Sequence, residues 1–135
     1  MKCETSITYY QLLVASNALL EVNKLRLPIK KARKVYDRIE EVTKELEFYR
    51  SEENKISDLY CLKNEHGNVI WEKNMPLFEN KENEINWNRE VVELQKKETK
   101  VSDRPIQITD KELGIQPIET DWIGLLKGIV EFIES

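Results

Sequence analysis

The chain has 135 residues, 34% of them charged, and a formal net charge of −4. At this length one domain buries about two thirds of the surface that the unfolded chain exposes, so neither a metal nor a disulfide is needed to stabilise it. The negative charge argues against general coating of nucleic acid, and no apolar run approaches the roughly 20 residues of a membrane span. Because the N-terminus also lacks a secretory signal pattern, we expect a soluble cytoplasmic protein with a single domain over residues 1–135 and no membrane partner.

The charges are unevenly distributed along the chain. The window 24–38 holds seven basic residues against one acidic residue, Asp37, and therefore carries +6, which leaves −10 for the remainder. The basic residues are Lys24, Arg26, Lys30, Lys31, Arg33, Lys34 and Arg38. Such a cluster predicts either a solvated helix face or a surface for phosphates or an acidic partner.

The first predicted element is a helix from Thr8 to about Leu25. Thr8 and Gln11 have capping-box spacing at its start, and the residues that follow are largely apolar. The link to the next helix is short, and Pro28 suits the first helical position because the N–H that proline lacks would be unpaired there. A short link between two helices predicts an antiparallel helical pair.

A long helix with a heptad pattern is predicted from Pro28 to Leu62. Its apolar residues recur at alternating steps of three and four, and Glu53 alone interrupts the row. The row consists of Ala32, Val35, Ile39, Val42, Leu46, Tyr49, Ile56 and Tyr60. This period is typical of a helix that packs lengthwise on another. Residues 1–62 are therefore predicted to form a helical hairpin, and residues 63–135 a small α+β part.

A small β-hairpin is predicted after the long helix. The polar residues 63–68 include Gly67 and precede the apolar run 69–71, a pattern typical of a turn between two short extended pieces. Residues 74–82 are predicted to form a polar loop. Its apolar anchors are Met75, Pro76, Leu77 and Phe78.

A third helix is predicted from Asn83 to Lys97. The helical spacing of Trp87, Val91 and Leu94 supports it. The same segment also alternates in the manner of a strand, through Ile85, Trp87, Arg89 and Val91. We prefer the helix.

An extended segment is predicted from Thr99 to Ile108. Pro105 lacks the N–H of a central strand and therefore indicates an edge strand. The fragment Glu98-Thr99-Lys100 has the E-x-K form of one nuclease class, but the acid-containing strand that should precede it is missing. We interpret the match as chance.

The C-terminal segment is predicted to end in an apolar helix. Thr109 and Glu112 form a second capping box before a short turn that Gly114 ends. Thr120 is predicted to cap the last helix. The apolar face of this helix is Trp122, Leu125, Leu126, Ile129, Val130 and Ile133. The predicted fold class is thus mainly α with a small β-hairpin, an α+β fold.

Candidate catalytic and metal-binding residues are few. His66 lies beside Gly67 in the predicted turn with no nucleophile placed for it, so we interpret it as an exposed turn residue. One histidine and scattered carboxylates cannot form the usual zinc sites or a two-histidine iron site, although a carboxylate-only magnesium site stays open. Cys3 and Cys61 are interpreted as reduced thiols rather than a disulfide.

The glycines do not form a phosphate-binding loop, because they stand apart from any strand-to-helix turn. Gly124 and Gly128 form a G-x-x-x-G pattern, which we interpret as internal helix packing rather than dimerisation. We therefore expect a protein that is not an enzyme and has no cofactor.

Candidate partner-binding residues come from charge. Lys30, Lys34 and Arg38 are spaced by four, so on a helix they share one stripe that can contact phosphates or an acidic partner along a line. The second candidate surface is acidic and lies in the C-terminal half. Its residues are Glu82, Glu84, Glu90 and Glu93.

Three segments resemble a group of small phage and prophage proteins of Gram-positive bacteria: residues 27–49, 64–71 and 117–134. In that group an antiparallel helical pair leads into a short hairpin, a further helix, an extended piece and a closing apolar helix. The resemblance implies a phage protein that acts in the host cytoplasm, and it supplies no functional residues.

These features lead us to expect a non-enzymatic inhibitor that binds a host protein by occluding its surface, and a component of an anti-phage defence system is the target class that we favour. Two alternatives stay open. The chain would be a virion assembly factor or chaperone if the heptad row pairs with a helix of another protein or of a second copy, giving a homodimer. It would be a small nucleic-acid binder if window 24–38 meets phosphates.

Overall fold

The computed structural model describes residues 4–102 and 105–134, and the fold is mainly α with small β-sheets. The helices are α1 (Tyr9–Val22), α2 (Ile29–Tyr60), α3 (Lys81–Lys96), α4 (Asp110–Leu113) and α5 (Asp121–Leu125). The strands are β1 (Glu4–Thr8), β2 (Trp71–Glu72), β3 (Met75–Pro76), β4 (Glu98–Ser102), β5 (Ile106–Thr109) and β6 (Val130–Ile133). The predicted fold class is confirmed.

The chain divides into two compact units, Met1–Leu46 with Glu98–Ser135, and Glu47–Lys97. Helix α2 contributes residues to both. The predicted division at residue 62 does not coincide with either boundary, and a single domain over 1–135 stays a prediction.

The first unit contains two separate two-stranded sheets. Strand β1 pairs antiparallel with β4, so that Ile7 lies opposite Thr99, and β5 pairs parallel with β6, so that Ile106 lies opposite Val130. The predicted extended segment 99–108 is therefore not one strand but parts of two, and Pro105 lies just before β5. Buried apolar side chains from α1, α2, α5 and all four strands fill this unit.

Helix α1 begins as the sequence predicts. The Thr8 hydroxyl accepts a hydrogen bond from the Gln11 N–H at 3.1 Å, and the Gln11 side chain accepts one from the Thr8 N–H at 2.9 Å. This reciprocal pair is the capping box. The helix ends at Val22, three residues before the predicted Leu25.

In the second unit α2 and α3 form an antiparallel helical pair. The Gln95 amide donates to the Tyr49 hydroxyl at 3.3 Å, and the Trp87 indole donates to the Ser57 hydroxyl at 3.1 Å. Moving from the first bond to the second advances along α2 and goes back along α3 by the same number of residues, so the two helices run in opposite directions. The helix interpretation of residues 83–97 is confirmed, with its start at Lys81 and its cap at Asn80.

Glu53, which breaks the heptad row, forms a hydrogen bond with the buried Tyr49 hydroxyl one turn earlier. Burial raises the pKa of Tyr49, and the bond to Glu53 raises it further. The apolar row is buried at Val35, Val42, Leu46 and Tyr49, each at most 3% exposed. The chain itself covers these four residues, and homodimerisation through the row stays a prediction.

The Tyr49 environment predicts a pH dependence of stability. A folded-state pKa above the unfolded value of about 10 stabilises the fold below that pH, and the contribution is lost as pH rises. We expect the free energy of unfolding to fall above about pH 10, and Tyr49→Phe to flatten this fall in urea titrations. Tyr36, also with a raised pKa because it bonds Glu40, is exposed and serves as control. An equal effect of Tyr36→Phe would contradict the account.

Two successive turns, rather than one, connect α2 to α3. Lys63 bridges Val69 around the turn that contains His66 and Gly67, and this is the predicted hairpin. A second hairpin pairs Trp71–Glu72 with Met75–Pro76, so the predicted loop 74–82 is wrong at its start. Its two turn residues, Lys73 and Asn74, both have positive φ. Lysine gives no sequence signal for such a turn, although asparagine tolerates it.

The predicted C-terminal helix is wrong beyond Leu125. Helix α5 ends there, Gly128 adopts φ +84°, and Val130–Ile133 forms strand β6. Thr120 is itself helical and makes no side-chain cap. The turn predicted after Thr109 is confirmed, with a capping box to Glu112 and its end at Gly114.

The two glycines of the G-x-x-x-G pattern should respond oppositely to alanine. Gly128→Ala should cost about 1–2 kcal/mol, because a side chain disfavours its left-handed backbone. Gly124→Ala should stabilise by about 0.5–1 kcal/mol, because a Cβ there meets nothing within 4 Å and alanine suits a helix. Urea unfolding of both variants checks the pair. Destabilisation by Gly124→Ala would mean that a close packing contact exists there after all.

Candidate functional site

The predicted basic stripe is interrupted by burial of Arg38. Arg38 is only 8% exposed, and its Nη1 donates to the carbonyl oxygen of Ile129 at 3.3 Å. That carbonyl belongs to the turn between α5 and β6. The prediction of an exposed stripe of Lys30, Lys34 and Arg38 is therefore wrong at Arg38, which stabilises the fold from within, whereas the two lysines are exposed.

A second cation of window 24–38 also bonds within the first unit. Lys31 donates to the Gln107 carbonyl oxygen of β5 and lies 3.8 Å from the Glu112 carboxylate. The pKa of Glu112 is lowered chiefly by the backbone hydrogen bond from Thr109, with a smaller contribution from Lys31. The exposed cations that window 24–38 contributes to α2 are thus Lys30, Arg33 and Lys34.

The four acidic candidates on α3 do not share one environment. Glu84 pairs with Lys81 at 3.1 Å. Glu90 accepts a hydrogen bond from Tyr60, which raises the Tyr60 pKa, and one Glu90 carboxylate oxygen is buried without a hydrogen-bond partner. Glu82 and Glu93 are exposed. Only two of the four predicted carboxylates, Glu82 and Glu93, therefore belong to an exposed acidic surface.

His66 and Cys61, which were considered as catalytic or metal-binding residues, differ in exposure. His66 is exposed in its turn, as predicted. Its Nε2 lies 3.5 Å from Oε1 of Glu65. Cys61 is a buried free thiol whose pKa is raised by burial, and Cys3 lies outside the described residues. Among the residues that the structure describes, no three His, Cys, Asp or Glu side chains are grouped to hold a metal. Nor does any helix in the described ranges combine the length and apolar character needed to cross a membrane.

The first unit contains a groove of about 780 Å³ between α1 and the segment of α5. The α1 wall includes residues that lie three and four apart on one helix face: Val14, Asn17, Ala18 and Glu21. Leu20 of α1 and the next residues, Asn23 and Lys24, also line the groove. The other wall is formed by Glu119, Asp121, Trp122 and Leu125. Its volume falls within the range of ligand-binding clefts.

The floor of the groove is apolar and partly exposed. Leu20 is 49% exposed and Leu125 38%, whereas Trp122 is nearly buried and stacks on Phe132 of β6 at 6.3 Å between ring centroids. Leaving leucine side chains in water is unfavourable, so covering them would contribute to binding.

The rim of the groove is acidic. Glu21, Glu119 and Asp121 line it together with a single cation, Lys24, whose ammonium lies 3.0 Å from the Glu21 carboxylate. Because Lys24 neutralises Glu21, the lining residues carry a net charge of −2, from Glu119 and Asp121.

Hydrogen bonds fix the α5 wall on both sides. Before α5, the Gln116 side chain accepts from the Arg26 N–H at 2.6 Å and donates to the Arg26 carbonyl oxygen at 2.7 Å. After α5, Arg38 bonds the Ile129 carbonyl oxygen. Hydrogen bonds within the first unit therefore hold the α5 wall of the groove in position.

Sequence reasoning did not identify this groove. Leu20 and Leu125 read as core residues of two helices, and nothing in their spacing shows that the packing leaves them at an open edge. Comparisons of the chain with protein-family models, curated proteins and solved structures found no match.

Substitutions on α2 should separate the structural cation from the exposed one. Arg38→Ala should lower the free energy of unfolding by about 1.5–3 kcal/mol, because it removes a buried hydrogen bond from a charged donor. The Ile129 carbonyl oxygen would keep only the bond from the Ile106 N–H, at 2.9 Å. Lys34→Ala, at an exposed position of the same stripe, should change it by less than about 0.5 kcal/mol. Urea titrations measure both. Equal free energies of unfolding for the two variants would contradict the structural role assigned to Arg38.

Proposed function

We propose that the chain is a non-enzymatic, phage-encoded inhibitor that binds a host protein in the host cytoplasm through the groove between α1 and α5. The observation that carries this proposal is the partly exposed apolar floor of the groove, at Leu20 and Leu125. An open apolar patch framed by charged residues is typical of a protein-binding surface. The resemblance to phage and prophage proteins supports the context, and a component of anti-phage defence is the target class we favour.

Inhibition in this proposal is steric. A protein that covers about 800 Å² of its partner can block a substrate or a second subunit without any chemistry of its own. The groove would form the centre of that contact, and the exposed residues around it the polar rim.

Nucleic-acid binding is the second candidate, and the exposed Lys30, Arg33 and Lys34 favour it. Three cations release few counterions, so this surface would give modest affinity that weakens as salt rises. The burial of Arg38 shortens the surface and is the reason that we rank this candidate lower.

Affinity capture from a Gram-positive host lysate, with nuclease treatment, tests the proposal. Wild-type chain, Leu20→Gln and the matched control Leu59→Gln, an exposed leucine of α2 that is 70% exposed, are compared. We expect one stoichiometric protein bound by wild type and by the control, and lost with Leu20→Gln, because a polar side chain would enter the apolar floor. Bound material that disappears with nuclease, or a protein retained equally by Leu20→Gln, would contradict the proposal.

A further inference from the structure

We infer that the groove binds a short amphipathic helix of its partner that carries lysine or arginine beside large apolar side chains. This inference rests on the proposed function, since it names the chemistry of the segment that the groove recognises. Three features of the first unit lead to it: the shape of the groove, its floor and its rim.

The shape suits a helix. The α1 wall is a helix face whose lining residues Ala18 and Glu21 lie three apart, and the opposite wall is another helix end. A helix laid into such a groove contacts it through residues three and four apart, which match the ridges of α1. Helix α5 has five residues and is therefore about 7.5 Å long, so the contact covers about one and a half turns of the bound helix.

The floor selects large apolar side chains. Leu20 and Leu125 offer apolar surface from opposite walls, and Ala18 also lines the groove. Large aliphatic side chains on the bound helix would cover both leucines. Each fully buried side chain of this kind contributes about 1.5–3 kcal/mol before the costs of association.

The rim selects cations. Glu119 and Asp121 lie on one wall, and the only lysine among the lining residues already faces Glu21 at 3.0 Å. An acidic partner helix would meet repulsion from these carboxylates, whereas lysine or arginine would be attracted. The charge complementarity therefore favours a basic segment over a neutral or acidic one.

Binding of a synthetic helix to the full chain tests the inference. The probe is a fluorescent peptide of about 14 residues, or four turns, with leucines on one face and lysines on the other. Its control has glutamate in place of every lysine. Fluorescence anisotropy at physiological salt gives the Kd. We expect the Leu–Lys peptide to bind and the Leu–Glu peptide not to bind.

Paired variants separate the groove from general charge attraction. Glu119→Lys with Asp121→Lys should weaken binding by about tenfold or more, and Glu72→Lys with Glu79→Lys, the same charge change at exposed positions of the second unit, by less than about twofold. Leu20→Gln should also weaken binding by about tenfold, and Leu59→Gln should not. Equal loss in both charge pairs, or no loss with Leu20→Gln, would overturn the inference.

Two further outcomes identify what failed. If the host protein is captured only when the groove is intact but the Leu–Lys peptide does not bind, the partner chemistry is wrong and the proposed function stands. If sedimentation shows that the chain self-associates and that Leu20→Gln abolishes this, a second copy occupies the groove and the inference is overturned.

Discussion

The groove of the first unit depends on hydrogen bonds made by backbone groups on either side of α5. A five-residue helix has too few internal bonds to hold its own position, so its place must come from its neighbours. Gln116 bonds the backbone of Arg26 before it, and Arg38 bonds the Ile129 carbonyl after it. The Trp122–Phe132 stack then joins the helix to β6. These contacts, together with the bond from the Ile106 N–H to the same Ile129 carbonyl oxygen, hold a wall of the proposed binding surface in place.

Helix α2 makes different contacts in the second unit. There α2 presents polar groups to α3, and Ser57, only 2% exposed, accepts the bond from the Trp87 indole. A buried donor that loses its partner costs about 1–3 kcal/mol, so a register shift between α2 and α3 is penalised more strongly than apolar packing alone would penalise it. Trp87 also packs on Phe78 at 5.6 Å and belongs to an apolar cluster with Cys61 and Val91.

Local sequence signals predicted much of the fold. Capping boxes at Thr8 and Thr109 placed two helix starts correctly, because a cap depends on residues only three apart. The heptad row predicted α2 and its burial, but not its helical partner in the second unit, which is α3, because apolar periodicity does not say which surface covers it. The last helix failed for the same reason: β6 exists through parallel pairing with β5, a distant contact that local spacing cannot show.

The candidate site was less predictable than the fold. Charge spacing predicted Arg38 as a surface residue. In the structure its side chain is buried and donates to the Ile129 carbonyl oxygen. Leu20 and Leu125 looked like ordinary core residues, yet packing leaves them 49% and 38% exposed. Both outcomes depend on tertiary packing, which a single sequence does not specify.

Hydrogen–deuterium exchange of the chain, free and bound to the host protein it captures, tests the central claim most directly, because it maps the contact without any substitution. We predict that binding protects amides in residues 14–24 and 119–125. Protection confined to residues 29–34, or to residues 47–97, would contradict the assignment of the groove as the binding surface.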